Sequence, residues 1–251
     1  MRSATLALGV AVLLTPTAVL DAQQAAPRIV DTSFALPYGG EIRYGIALPA
    51  GYDEGPDRPR PLVLALHPGG RGRYYGSSFM RQMIEPGLRS WGAIFVAPDV
   101  PDRSWATGES SRAVMALLEH VFSEHAVDRR RILVTGYSMG GRGTWHLATR
   151  NADFFTGAIP MASSPGNDPL DRLSSTPVHA IHSVDDQVVP YEPAFEALQT
   201  LEAMGGTVRF IRLLGVGHYQ MGAYIGPLQQ AGEWMWEEWE RRAAETRQPA
   251  P

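Results

Sequence analysis

The sequence predicts a single α/β domain, with a mostly parallel central sheet of about eight strands and helices on both faces. Two observations carry this reading. Leu62-Val63-Leu64-Ala65-Leu66 is a short, unbroken apolar run, the pattern of a strand buried on both faces in a parallel sheet. Val114, Leu117, Leu118, Val121 and Phe122 fall at i, i+3, i+4, i+7 and i+8, the apolar stripe of an amphipathic helix. Strands alternating with helices of that size make βαβ units. A chain of 251 residues without internal repeat or linker is one domain, placed at residues 28–247.

The first 22 residues form a separate segment. Arg2 precedes an uncharged apolar run from Ala4 to Leu14, and small and polar residues follow through Ala22, Gln23 and Gln24. This predicts a secretory signal peptide over residues 1–22, and hence a secreted or periplasmic protein. The run is short for a membrane span and Pro16 interrupts it, though an uncleaved anchor is the competing reading.

The elements follow in order. Ile29–Leu36 and Glu41–Leu48 read as two half-buried strands joined at Gly39-Gly40. A Pro/Gly-rich loop, Gly51–Pro61, leads to the buried strand Leu62–Leu66, and residues 93–96 repeat its signal. The helix around Val114–Phe122 comes next, then strand Ile132–Val134 and a helix over Thr144–Thr149. A weaker strand at Ala158–Met161, strand Val178–Ile181, a helix over Phe195–Met204 and strand Val208–Leu214 continue the alternation. Trp234, Met235, Trp236 and Trp239 belong to a last helix, Ala231–Ala244, docked on the sheet or forming a dimer face.

Composition removes several chemistries. Apolar residues at 44% and charged residues at 19% supply a core and exclude wholesale disorder. A net charge of −4 gives no electrostatic footprint for nucleic acid or an anionic membrane. All 22 basic residues are arginines, so Schiff-base and P-loop lysine chemistry is absent, and with no cysteine there are no thiol nucleophiles or thiolate metal sites. His179 and His182 lie near Asp185 and Asp186, but two strand residues three apart face opposite sides and chelate poorly. No cofactor or metal is expected. His120, His125 and His146 read as surface or packing residues.

The strand at Ile132 runs into Gly136-Tyr137-Ser138-Met139-Gly140, a G-x-S-x-G pattern between a buried strand and a helix. A serine on so sharp a turn needs glycines two residues either side, and the helix N-terminus beneath it favours developing negative charge. Such a serine needs a base held by an acid. Asp185 and Asp186 follow the strand at Val178, and His218 follows the strand at Val208. All three groups fall at C-terminal strand ends, where sites collect in open α/β sheets. From the residues alone, either aspartate could be the acid.

The chain resembles the α/β-hydrolases of the carboxylesterase and dienelactone-hydrolase-related group, in particular a secreted esterase or "predicted peptidase" branch. The resemblance spans almost the whole mature chain. Its anchors are His67-Pro68-Gly69-Gly70, Gly136–Gly141 running into Thr144-Trp145, Asp186-Gln187-Val188-Val189-Pro190, and Gly217-His218. It implies an α/β-hydrolase fold with a minimal cap, a serine carboxylic-ester hydrolase, and a catalytic set of Ser138, Asp186 and His218. Dienelactone hydrolases proper use a cysteine, which this chain lacks. The resemblance also implies an oxyanion hole in the loop after Leu66. Pro68 has no N–H to give there, so the donors are expected from Gly69 and Met139, with Gly70 as fallback and His67 as a brace for the loop. Arg71, Tyr74, Trp105 and Tyr219, with Arg73, Tyr75 and Arg103 nearby, are candidate substrate contacts or ordinary loop residues. The expected partner is a small-molecule or polymer-linked ester. A peptidase or amidase using the same triad is the alternative, and a non-catalytic binding protein on the same fold is a third reading.

Overall fold

The computed structural model describes residues 27–52, 58–70 and 72–247. The segment read as a signal peptide, and Arg71, lie outside the described residues. Eight strands form one sheet in the order β1-β2-β4-β3-β5-β6-β7-β8. They are β1 (Arg28–Ala35), β2 (Glu41–Leu48), β3 (Arg60–Leu66), β4 (Ile94–Pro98), β5 (Val127–Tyr137), β6 (Gly157–Met161), β7 (Val178–Ser183) and β8 (Val208–Leu213). β1 and β2 form an antiparallel hairpin and β2 joins β4 antiparallel; every other neighbouring pair is parallel.

The pleat divides the core into two layers. Leu62, Leu64 and Leu66 point to one face, where they meet Val114, Leu117, Leu118 and Val121 of α3 (Gly108–Glu124) and Trp145 and Leu147 of α4 (Met139–Arg150). α5 (Glu192–Ala203) adds Leu198 and Leu201 to that layer. Val63 and Ala65 point to the other face, beneath Leu228, Ala231, Met235 and Trp239 of α6 (Ile225–Arg247). Thr107 caps α3, its side chain accepting from the Ser110 N–H at 3.1 Å. Among the described residues no helix is long and apolar enough to cross a membrane.

Two expectations are corrected. The loop read as Gly51–Pro61 ends earlier, because β3 begins at Arg60 and includes Pro61. A register shift between Arg60 and Leu62 accommodates a residue that has no N–H for the ladder. A helical segment also lies where none was expected: α1 (Tyr75–Phe79), a π turn (Met80–Ile84), α2 (Glu85–Leu88) and a 3₁₀ turn (Arg89–Trp91). It packs Phe79, Met80, Met83, Ile84, Leu88 and Trp91 against the α6 layer.

Candidate active site

The parallel strands β5, β7 and β8 bring three loops to one edge of the sheet. β5 ends at Tyr137 and α4 begins at Met139, so Ser138 alone makes the reversal, at φ 53° and ψ −113°. A non-glycine residue held at positive φ stores on the order of 1–3 kcal/mol of strain. Two hydrogen bonds pin it: Ser138 N–H donates to Met161 O at 3.0 Å, and Ser138 O accepts from Arg142 N–H at 2.8 Å. The flanking glycines are required by space. A Cβ on Gly140 would overlap the Leu66 carbonyl, and one on Gly141 would overlap that of Met161.

His218, buried in the loop after β8, meets this serine. Its Nε2 lies 2.8 Å from Ser138 Oγ and its Nδ1 lies 2.7 Å from Asp186 Oδ2. The carboxylate only accepts, so Nδ1 carries the proton and Nε2 is free to accept from the serine hydroxyl. The Asp186 side chain is wholly buried. Burial pushes its pKa up, but hydrogen bonds from His218 and from the Val189 and Val188 N–H groups, at 2.8 and 2.9 Å, hold it below the usual carboxylate value. Asp185 is exposed and serves a different purpose. Its Oδ2 accepts from Gly215 N–H at 2.6 Å, tying the β7 loop to the β8 loop. His182 touches the same acid, with Nε2 3.0 Å from Val189 O and 3.4 Å from Asp186 Oδ2.

The loop after β3 forms the facing wall. His67 Nδ1 donates to Pro68 O at 2.7 Å, while Nε2 accepts from Val100 N–H at 3.0 Å. Burial lowers the His67 pKa, which keeps the ring neutral and able to make both bonds. Pro68 and Gly69 line a cleft of about 360 Å³ with Tyr75, Tyr137, Ser138, Val188, His218, Tyr219 and Met221. Met139 opens α4, so its N–H is one of those left without an intrahelical partner at a helix start.

Of the other anticipated contacts, Tyr219 stands at the cleft, 82% exposed. Trp105 does not reach it. That ring is fully buried beneath the loop after β3, with Nε1 donating to His67 O at 2.9 Å. Tyr74 is also not a lining residue. Its backbone N–H is held by Asp99 at 2.8 Å and its ring lies under the Arg73 guanidinium, so the next residue, Tyr75, turns into the cleft instead. Arg103 lines a separate hollow with Arg43, Asp99 and Asp102. Val188 and Met221 went unanticipated, although they stand two and three residues from Asp186 and His218.

Comparisons with known proteins agree with this architecture. Feruloyl esterase C of Emericella nidulans is 30% identical over 174 residues, covering 65% of this chain and 62% of that protein. The chain thus spans less than two thirds of the length of that relative. A probable carboxylesterase SOBER1-like of Arabidopsis thaliana is 27% identical over 52% of this chain and 53% of its own length. Among solved structures, a thermostable esterase superposes with a TM-score of 0.73 at 28% identity, over 83% of this chain and 62% of its own. The feruloyl esterase module from Clostridium thermocellum complexed with sinapinate shares the fold at a TM-score of 0.64 and 18% identity, over 90% of this chain and 95% of its own. The model of the dienelactone hydrolase family matches residues 101–236, more than half of the chain. With an eight-stranded α/β-hydrolase sheet behind that match, the chain belongs to the dienelactone hydrolase family.

Proposed function

We propose that this protein is an exported serine hydrolase that cleaves carboxylic esters through an acyl-enzyme. The observation that carries the reading is the unbroken series from Asp186 to His218 to Ser138, at 2.7 and 2.8 Å. His218 Nε2 takes the Ser138 proton as Oγ adds to the ester carbonyl, and Asp186 holds the resulting imidazolium. The Gly69 and Met139 N–H groups stabilise the oxyanion, and His218 returns the proton to the departing alcohol. Water then attacks the acyl-serine by the same route and releases the acid. Serine in place of the cysteine of dienelactone hydrolases proper makes an oxygen ester the intermediate.

The acyl group is best matched by an aryl acid. Tyr75, Tyr219, Val188 and Met221 give the cleft aromatic and apolar walls. The relatives named feruloyl esterases point to the same substrate class. Export rests on the apolar segment from Ala4 to Leu14 behind Arg2.

The test is hydrolysis of a short chromogenic acyl ester by the chain lacking residues 1–22, with Ser138→Ala beside it. The expected loss is at least about 10⁴-fold in kcat. Undiminished turnover in the variant overturns the assignment. Across an ester panel, hydroxycinnamate esters should exceed long-chain lipid esters in kcat/KM, and the reverse order would remove the aryl reading.

A further inference from the structure

Two buried tyrosines lie beneath the His218 loop, and no step of the acyl transfer uses them. Tyr137 immediately precedes the serine, and its hydroxyl donates to the main-chain carbonyl of His218 at 2.6 Å. A phenol has one proton, so the Tyr137 oxygen can otherwise only accept. Tyr224 stands edge-on to it, ring centroids 4.9 Å apart at 89°. The Tyr224 oxygen accepts from Ser183 N–H at 3.2 Å.

Two hydrogen bonds, with the edge-on ring contact between them, link Ser183 N–H through Tyr224 and Tyr137 to the carbonyl of His218. Ser183 is also the root of the acid loop. Its Oγ accepts from Asp185 N–H at 3.1 Å, its carbonyl accepts from Asp186 N–H at 3.4 Å, and its hydroxyl donates to Leu213 O at 3.3 Å. Buried hydrogen bonds and one ring contact thus join the ends of β5, β7 and β8, the three strands that deliver Ser138, Asp186 and His218. Burial raises the pKa of both phenols, that of Tyr224 to about 12, so neither loses its proton in the working range.

We propose that Tyr137 is a positioning residue for His218, and that Tyr137 and Tyr224 act as one unit holding the His218 backbone where Nε2 meets Ser138 Oγ. The proposal rests on the triad reading above. A shift of about 1 Å in a reacting group costs on the order of 10²-fold in rate, so a hydroxyl that touches no reacting atom can still govern kcat.

The experiment is a double-mutant cycle of Tyr137→Phe and Tyr224→Phe. It reads kcat and KM per site titrated with a fluorophosphonate, with thermal melts of each variant. Removing the Tyr137 hydroxyl should lower kcat by about 10-fold or more and leave KM within about twofold, because the cleft keeps its shape. Tyr224→Phe should lower kcat less, and the double variant should match Tyr137→Phe alone, since residues acting as one unit are not additive. A merely structural role would lower the melting temperature and leave kcat per titrated site unchanged, which overturns the proposal. Losses that multiply in the double variant overturn the coupling. If Tyr137→Phe fails to fold, unchanged kcat in Tyr224→Phe overturns the unit by itself. Wild-type labelling that is lost in Ser138→Ala keeps the triad reading standing when the cycle fails, whereas Ser138-independent turnover overturns both.

Discussion

The His67 ring makes two hydrogen bonds of opposite sense, and one of them sets a backbone plane. With the Pro68–Gly69 peptide trans and planar, its C=O and N–H point in opposite directions. Nδ1 holds the Pro68 oxygen at 2.7 Å, so the Gly69 N–H is turned the other way, and Gly69 lines the cleft. His67→Asn can place an amide donor near Nδ1, whereas His67→Gln places one near Nε2. The asparagine variant should stay within about 10-fold of wild-type kcat, and the glutamine variant should lose about 10²–10³-fold, as for a missing oxyanion donor. Equal losses in steady-state turnover would show that the Pro68 bond is not what matters. The sequence made His67 legible only as a loop brace. Asp185 and Asp186 were indistinguishable from residue type alone because the turn after β7 decides which carboxylate faces His218. Aromatic residues at 74, 75 and 105 were equally visible, but the Asp99 clamp on Tyr74 N–H and the burial of Trp105 are long-range facts that a local pattern does not encode.

α4 does more than carry the serine, because one face of it anchors the loop between β6 and β7. Asp168 in that loop is buried and is met by Arg142 Nη1 at 2.5 Å, His146 Nδ1 at 3.0 Å and Arg150 Nε at 3.6 Å. Those three sit four residues apart on α4 and so share a face. Burial pushes the Asp168 pKa up, and the hydrogen bonds from Arg142 and His146 pull it net below the ordinary value. Removing the carboxylate leaves the half-buried Arg142 guanidinium and the His146 ring without their shared acceptor. Asp168→Ala should therefore cost roughly 1–3 kcal/mol in denaturant unfolding, the penalty of leaving partly buried donors unsatisfied. A cost under about 1 kcal/mol would make the cluster ordinary surface electrostatics. This anchor was not legible in sequence, where His146 read as a surface or packing residue and nothing marked Asp168. The strands were legible because burial on both faces leaves unbroken apolar runs. The helical segment from Tyr75 to Trp91 was not, because its π turn breaks the 3.6-residue period and Pro86-Gly87 falls inside it. α6 was read as Ala231–Ala244 but runs from Ile225 to Arg247, with Leu228 one turn before Ala231 in the same buried layer.

Across the whole molecule, buried neutral histidines set the response to acid. Burial lowers the pKa of His67, His182 and His179, the last to about 4 with help from the Arg209 charge. The unfolded chain takes up these protons near the ordinary value of 6.5 and the folded chain does not. Their contribution is complete above pH 6.5 and is lost as pH falls below it, for His179 down to about 4. Asp168 and Asp186 act in a lower window: with depressed folded values, they stabilise above the ordinary 3.8 and lose that contribution only as pH drops below it. Acid sensitivity should therefore begin near pH 6.5 rather than near 4. His179 alone accounts for roughly 3 kcal/mol across its window. His179 is 6% exposed, its Nδ1 has no hydrogen-bond partner, and its ring stands edge-on to Trp234 at 5.0 Å. His179→Phe keeps that ring contact and removes the titration. Between pH 7 and 4.5 the wild-type melting temperature should fall roughly 5–10 °C further than that of the variant. Parallel curves for the two proteins would mean that His179 takes up its proton in the folded chain at no cost, and that acid sensitivity arises elsewhere.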